Sequence, residues 1–206
     1  NTYGSFWLWT IRSTTSEIES IYAALYQIIA NCNFYLDYID RVVAATTDDT
    51  KLKDLDTYTG EVYAIRALAY SELLKCYCKA YHPETAKQEL GVVLRTTTLD
   101  KQPLPRASLY DSYQQVIRDL ERAEELLDEK NDAYSSAFVT RAMACALHAR
   151  VALYMEDWQS AIDYSTELIE SRNFALSSAV SYYTNDMTYF DYMWNYDVAT
   201  EVIWCI

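Results

Sequence analysis

An all-α architecture of stacked antiparallel helix hairpins, with irregular loops and an aromatic-rich C-terminal tail, is what this sequence predicts. Three observations carry the prediction. Glycine and proline number only three each in 206 residues, too few for a β-rich chain whose tight turns depend on them. Apolar residues recur every three and four positions through several long stretches, the spacing of one face of a helix. Residues 140–171 read as two helices joined by a turn at Glu156 and Asp157, a hairpin that cannot bury its own apolar stripe and needs neighbours to stack on.

In chain order, Thr14, Thr15, Ser16 and Glu17 form a capping box in which Thr14 caps a helix and Glu17 reaches back to its amide. Ile18, Ile21, Leu25, Ile28, Ile29, Cys32, Leu36, Ile39 and Val43 then keep helical spacing, so one helix runs to about Val43. Residues 44–56 are polar and acidic and read as a linker. A second long helix is expected from about Leu55 to Tyr81, carrying Val62, Ile65, Leu68, Leu73 and Leu74. It stops at His82-Pro83, because proline lacks the amide donor and clashes with the preceding turn. Residues 84–106 turn to Thr, Gly and Pro, with Val92, Val93 and Leu94 as a short extended run, and read as a loop crossing the surface.

Ser108, with Asp111 three positions on, caps the next helix, whose stripe is Leu109, Tyr113, Val116, Ile117, Leu120, Ala123 and Leu127. Residues 128–136 are turn-like. In the hairpin that follows, Ala142, Ala144, Ala146, Ala149 and Ala152 let a partner backbone come close, and Asp157 caps a second helix bearing Trp158, Ala161, Ile162, Leu168 and Ile169. Its length is tetratricopeptide-like, with a small-residue contact expected between Ala149 and Ala161. After Arg172 the tail is rich in Tyr and Asn, shows no helical period, and closes on a strand-like apolar run at 201–206.

The formal charge of −13 would repel phosphate backbones and acidic lipid surfaces, which disfavours nucleic acid as a partner. No window of 18 or more uninterrupted apolar residues exists and no leader segment opens the chain, so no span is expected. The aromatic start and the apolar end suggest one domain, residues 1–206, cut from a longer protein. Five cysteines without framework spacing argue against a disulfide scaffold. Cys76 and Cys78 sit two apart, on nearly opposite faces of a helix, and are expected as small buried hydrophobes rather than metal ligands. With His82 and His148 the only histidines, and no nucleophile elbow, phosphate loop or dinucleotide fingerprint, neither a metal, a cofactor nor an enzymatic site is expected. His148 is expected as a helix-packing residue, and Glu121, Glu124, Glu125, Asp128 and Glu129 as a solvated face.

Five segments, in order, resemble one family. Leu25, Tyr26, Ile29 and Asn33 with Leu36 and Ile39 are similar to the first helix of the SusD/RagB outer-membrane lipoproteins, and the run from Gly60 to Tyr70 resembles that family's second. Leu104-Pro105-Arg106-Ala107-Ser108 followed by Tyr113, Ile117, Asp119 and Leu120, then the 140–171 hairpin, then Glu201-Val202-Ile203-Trp204, are similar to the later ones. The resemblance implies the N-terminal, repeat-containing part of a SusD-like protein more than twice this length. It implies binding without catalysis: a lipid-anchored protein on the surface of Gram-negative bacteria that captures a glycan, in some members a peptide, and passes it to a TonB-dependent transporter. The lipid-bearing cysteine is expected upstream. A tetratricopeptide-type scaffold for protein partners is the alternative function, and a glycosidase a weaker one.

Capturing a sugar requires aromatic faces for its C–H surfaces and a few polar groups for its hydroxyls. The tail offers Tyr189, Asp191, Tyr192, Trp194, Asn195 and Tyr196, and the start Tyr3, Trp7 and Trp9. The bland reading of both clusters is that they cover helix ends or pack against a C-terminal half of the longer protein. Asn33, Arg66, Arg106 and Asp119, polar on or beside apolar runs, are expected to satisfy backbone groups at loop junctions, since an unpaired buried polar group costs roughly 1–3 kcal/mol.

Overall fold

The computed structural model describes residues 4–12, 15–171 and 173–205. The capping role expected of Thr14, the ring of Tyr3 and the final Ile206 lie outside the described residues. After a short helix α1 (Gly4–Trp7), the fold is built from α2 (Ser16–Ala45), α3 (Asp49–Tyr77), α4 (Leu109–Leu126), α5 (Arg141–Tyr154) and α6 (Trp158–Glu170). Each packs on the next, and α3 also touches α5. The core lies where α3, α4 and α5 meet: Tyr70, Leu73, Leu74, Leu109, Val116, Leu120 and Val151 are fully buried there.

The caps explain why the helices start where they do. Ser108 accepts from the Asp111 amide at 3.0 Å, Asp157 from the Ser160 amide at 3.2 Å, and Thr140 from Met143, each satisfying an orphan first-turn donor. At the α5–α6 turn Glu156 takes φ 60°, and its carboxylate lies 3.0 Å from His82 Nδ1. Ala149 and Ala161 are both half-buried between the packed α5 and α6.

Three expectations are corrected. The linker expected over 44–56 is only 46–48, because Asp48 accepts from the amides of Thr50 (2.9 Å) and Lys51 (3.3 Å) and starts α3 at once. The first turns of α3 are polar because most of their side chains face solvent, with only Leu52, Leu55, Thr57 and Thr59 half-buried. At its other end α3 stops at Tyr77 rather than Tyr81. The Arg106 guanidinium donates to the Tyr77 carbonyl at 3.3 Å, and the chain turns so that Tyr81 packs edge-on against Tyr113, with centroids 5.0 Å apart. Finally, Cys76 is exposed and Cys78 only half-buried, against the burial expected of both, whereas Cys32 and Cys145 are buried.

Residues 79–108 cross the helices as an irregular strap. Gly91 brings its backbone against α4: an added Cβ would lie 2.1 Å from Ser112 Oγ and 2.5 Å from the Ser108 carbonyl. Tyrosine hydroxyls on the helices pair with the strap's backbone, Tyr26 with Val93 and Tyr70 with Arg95, each both donating and accepting. Asn33 donates to the Arg95 carbonyl at 2.6 Å, and Arg106 Nε to that of Gly91 at 2.6 Å. Beneath the strap Arg66 forks onto Asp119 with bonds of 2.8 and 2.6 Å and reaches Asn33 Oδ1 at 2.8 Å. The four polar residues singled out in the sequence thus hold helix to helix and helix to strap.

The tail is more ordered than its sequence suggests. A two-stranded hairpin, β1 (Tyr182–Thr184) and β2 (Met187–Thr188), leads into a helix, α7 (Tyr189–Tyr196). The apolar run at 201–205 joins no sheet there: Trp204 makes an isolated parallel bridge to Ser136, and Ile203 and Trp204 pack half-buried against the core. No helix among the described residues is long and apolar enough to cross a membrane.

Candidate functional site

The tail helix sets the site. Thr188 and Asp191 form a complete capping box at its start: the Asp191 amide donates to Thr188 Oγ1 at 3.1 Å, and the Asp191 carboxylate accepts from the Thr188 amide at 3.0 Å. The next amides are satisfied by the chain beside it, Tyr189 donating to the Ser181 carbonyl and Phe190 to that of Ser178. At the other end Asp197 adopts a left-handed φ of 53° and closes the helix on the Met193 carbonyl. Residues 175–177 are clipped to the chain after α7: Ala175 bonds Thr200, and the Ser177 amide donates to Glu201 at 2.9 Å. Ser135, on the turn before α5, exchanges hydrogen bonds with Ala199.

These links enclose an open pocket of about 440 Å³ lined by Tyr134, Tyr183, Tyr189, Tyr192, Leu176, Val198 and Ala199, with Ser177, Ser178, Ser181 and Thr200 as its polar edge. Its tyrosines form a platform. The rings of Tyr183 and Tyr192 lie 4.2 Å apart at 38°, Tyr192 and Tyr196 4.8 Å apart at 36°, and Tyr189 meets Tyr183 edge-on at 5.8 Å. Because Tyr189, Tyr192 and Tyr196 stand three and four apart on α7, they share one face. The neighbouring Tyr183 raises the pKa of the Tyr192 hydroxyl, and the Thr188 hydrogen bonds hold the Asp191 carboxyl below its usual value. The Tyr192 phenol therefore stays a neutral donor and acceptor at physiological pH. Flat rings with hydroxyl edges in a largely apolar pocket of this size suit a small polar ligand with an apolar face.

Of the residues proposed from the sequence, Tyr189 and Tyr192 line this pocket and Tyr196 extends the ring stack. Trp194 is not part of it: it is 73% exposed and pairs with Phe190 on another side of α7. Asn195 is exposed, and Trp7 and Trp9, 84% and 90% exposed, lie in and just after α1 and do not line the pocket. Sequence reasoning missed Tyr134 and Tyr183. The capping-box pattern at Thr188 and Asp191 could have revealed the helix, and with it the shared tyrosine face; nothing local marks Tyr134, which the Ser135 and Ser136 links bring in.

His148 is buried, its Nδ1 2.9 Å from a Glu124 carboxylate oxygen and its ring stacked on Tyr164 at 3.8 Å. It packs α4, α5 and α6 together, as expected. Glu124 leaves the solvated face assigned to it because that hydrogen bond draws it inward.

A protein-family model described as starch-binding and associating with the outer membrane matches residues 5–153. A SusD-like protein of Formosa agariphila is 27% identical over 169 residues, covering 82% of this chain and 29% of that protein. A crystal structure from Bacteroides vulgatus superposes with a TM-score of 0.70 at 25% identity, covering 90% of this chain and 39% of the other. A SusD superfamily protein from the same organism gives 0.66 at 26%, over 76% and 35%. The surface glycan-binding protein A of Bacteroides uniformis gives 0.56 at 25%, over 76% and 32%. The chain thus spans about a third of the length of the relatives it matches. Since the family model covers well over half of the chain, this protein belongs to the SusD-like family.

Proposed function

We propose that this chain is the helical, tyrosine-bearing part of a non-catalytic protein that captures a glycan at the outer membrane surface for nutrient uptake through a TonB-dependent transporter. On this reading a lipid anchor holds the full-length protein there. One observation carries the reading: the platform of Tyr183, Tyr189, Tyr192 and Tyr196 beside a pocket edged with hydroxyls, in a chain of the SusD-like family. Pyranose rings bury their C–H faces on such rings while their hydroxyls take up the polar edge. The similarity to a surface glycan-binding protein supports it.

A second reading, a docking face for protein, is favoured by α6, where Trp158, Ile162 and Ile169 are exposed along one side. Isothermal titration of the full-length protein against a panel of polysaccharides tests the first. We expect binding that Tyr192→Ala abolishes and Trp194→Ala leaves unchanged. Binding indifferent to Tyr192→Ala, or none by the folded protein, would overturn it.

A further inference from the structure

We infer that the tyrosine pocket selects uncharged glycans and rejects those bearing carboxylate or sulfate groups. The inference deepens the glycan reading above and rests on it. No Lys, Arg or His occurs anywhere from Asn173 to Cys205, the segment that supplies all of the pocket except Tyr134. Acidic residues adjoin the lining residues in the chain instead. Asp191 stands on α7 beside Tyr192, and its carboxyl is kept ionised by Thr188. Asp197 caps the same helix next to Val198, and Glu201 follows Thr200 with an oxygen on the amide of Ser177, a lining residue.

The cations nearest in sequence to Tyr134 are Lys130 and Arg141. They line a different pocket, with Asp128 3.9 Å from Lys130 and Arg141 bonded to Glu167. An anionic sugar entering the tyrosine pocket would meet ring faces, whose negative quadrupole also repels anions, and fixed carboxylates acting over about 8 Å at physiological ionic strength. Among the described residues, none that lines the pocket offers it a counter-charge. A neutral sugar loses nothing by this arrangement, since C–H packing and hydroxyl hydrogen bonds need no ion pair.

The test uses polymer pairs that share a backbone and differ in charge: polygalacturonate and its methyl ester, carboxymethylcellulose and hydroxyethylcellulose, a sulfated galactan and its desulfated form. Affinity electrophoresis and titration with the full-length protein should show the neutral member of any bound pair held about tenfold tighter or more. Val198→Lys, which adds a cation to the pocket wall, should narrow that gap by improving the anionic member. Equal or tighter binding of the anionic members, or a gap untouched by Val198→Lys, would overturn the selectivity while leaving the glycan site standing. No retention of any polymer, with the protein folded, would remove the site itself.

Discussion

Replacing Asp119 by alanine tests the account of what holds this helical unit together. The Arg66 and Asp119 side chains are 6% and 2% exposed, and the pair is bidentate. Asp119 also accepts from Gln115 at 2.9 Å, while Arg66 has Asn33 as its other partner and lies 5.4 Å from the Tyr63 ring. Removing the carboxylate leaves a guanidinium buried with one neutral oxygen to bond, a loss of about 3–5 kcal/mol. Against a total stability of about 5–15 kcal/mol this is a large fraction. Urea unfolding followed by circular dichroism should show the midpoint fall sharply with an unchanged slope. The double replacement Arg66→Met with Asp119→Leu should recover most of the loss, because apolar groups of similar volume need no partner. A cost below about 1 kcal/mol for Asp119→Ala, or a double variant as weak as the single, would refute the reasoning.

Other consequences follow from single contacts. Gly91→Ala should destabilise by about 1–3 kcal/mol in the same assay, because its Cβ would collide with Ser112 and the Ser108 carbonyl and lift the strap from α4. Asp157→Ala should cost about 1 kcal/mol through loss of the α6 cap. Thiol labelling of the native protein should modify exposed Cys76 first and leave Cys145 and Cys32, whose pKa values burial pushes up to about 12 and about 11, unlabelled until unfolding. The sign of the pH effect follows. Below the ordinary thiol value of 9.0 these cysteines are protonated in both states and cost nothing. As pH rises beyond it the unfolded chain ionises first, so stability falls between pH 9.0 and about 12.

The helices were legible because local chemistry and burial agree in them. Ser108 and Asp157 cap where the stripes begin, and the predicted stripe of α4 is the face it buries. Asn33, Arg66 and Asp119 announced themselves as polar residues among apolar neighbours. The start of α3 was hidden because its first turns face water and rest on one Asp48 cap, which looks like any acidic linker. The tail misled for a different reason. Its helix is short and its periodic residues are tyrosines, which read as surface decoration until the capping box is noticed. The pocket itself joins Tyr134 to rings nearly fifty residues or more away through backbone bonds of Ser135 and Ser136, a pairing with no local trace in the sequence. Trp194 and Trp7, conspicuous as tryptophans, stand outside it.

The most direct test of the central claim is a crystal structure of the full-length protein with a bound oligosaccharide taken from the titration panel. The account predicts a pyranose ring with its C–H face against Tyr183 and Tyr192 and its hydroxyls toward Ser178, Ser181 or Thr200. A sugar bound elsewhere, with these tyrosines covered by another part of the protein, would contradict it.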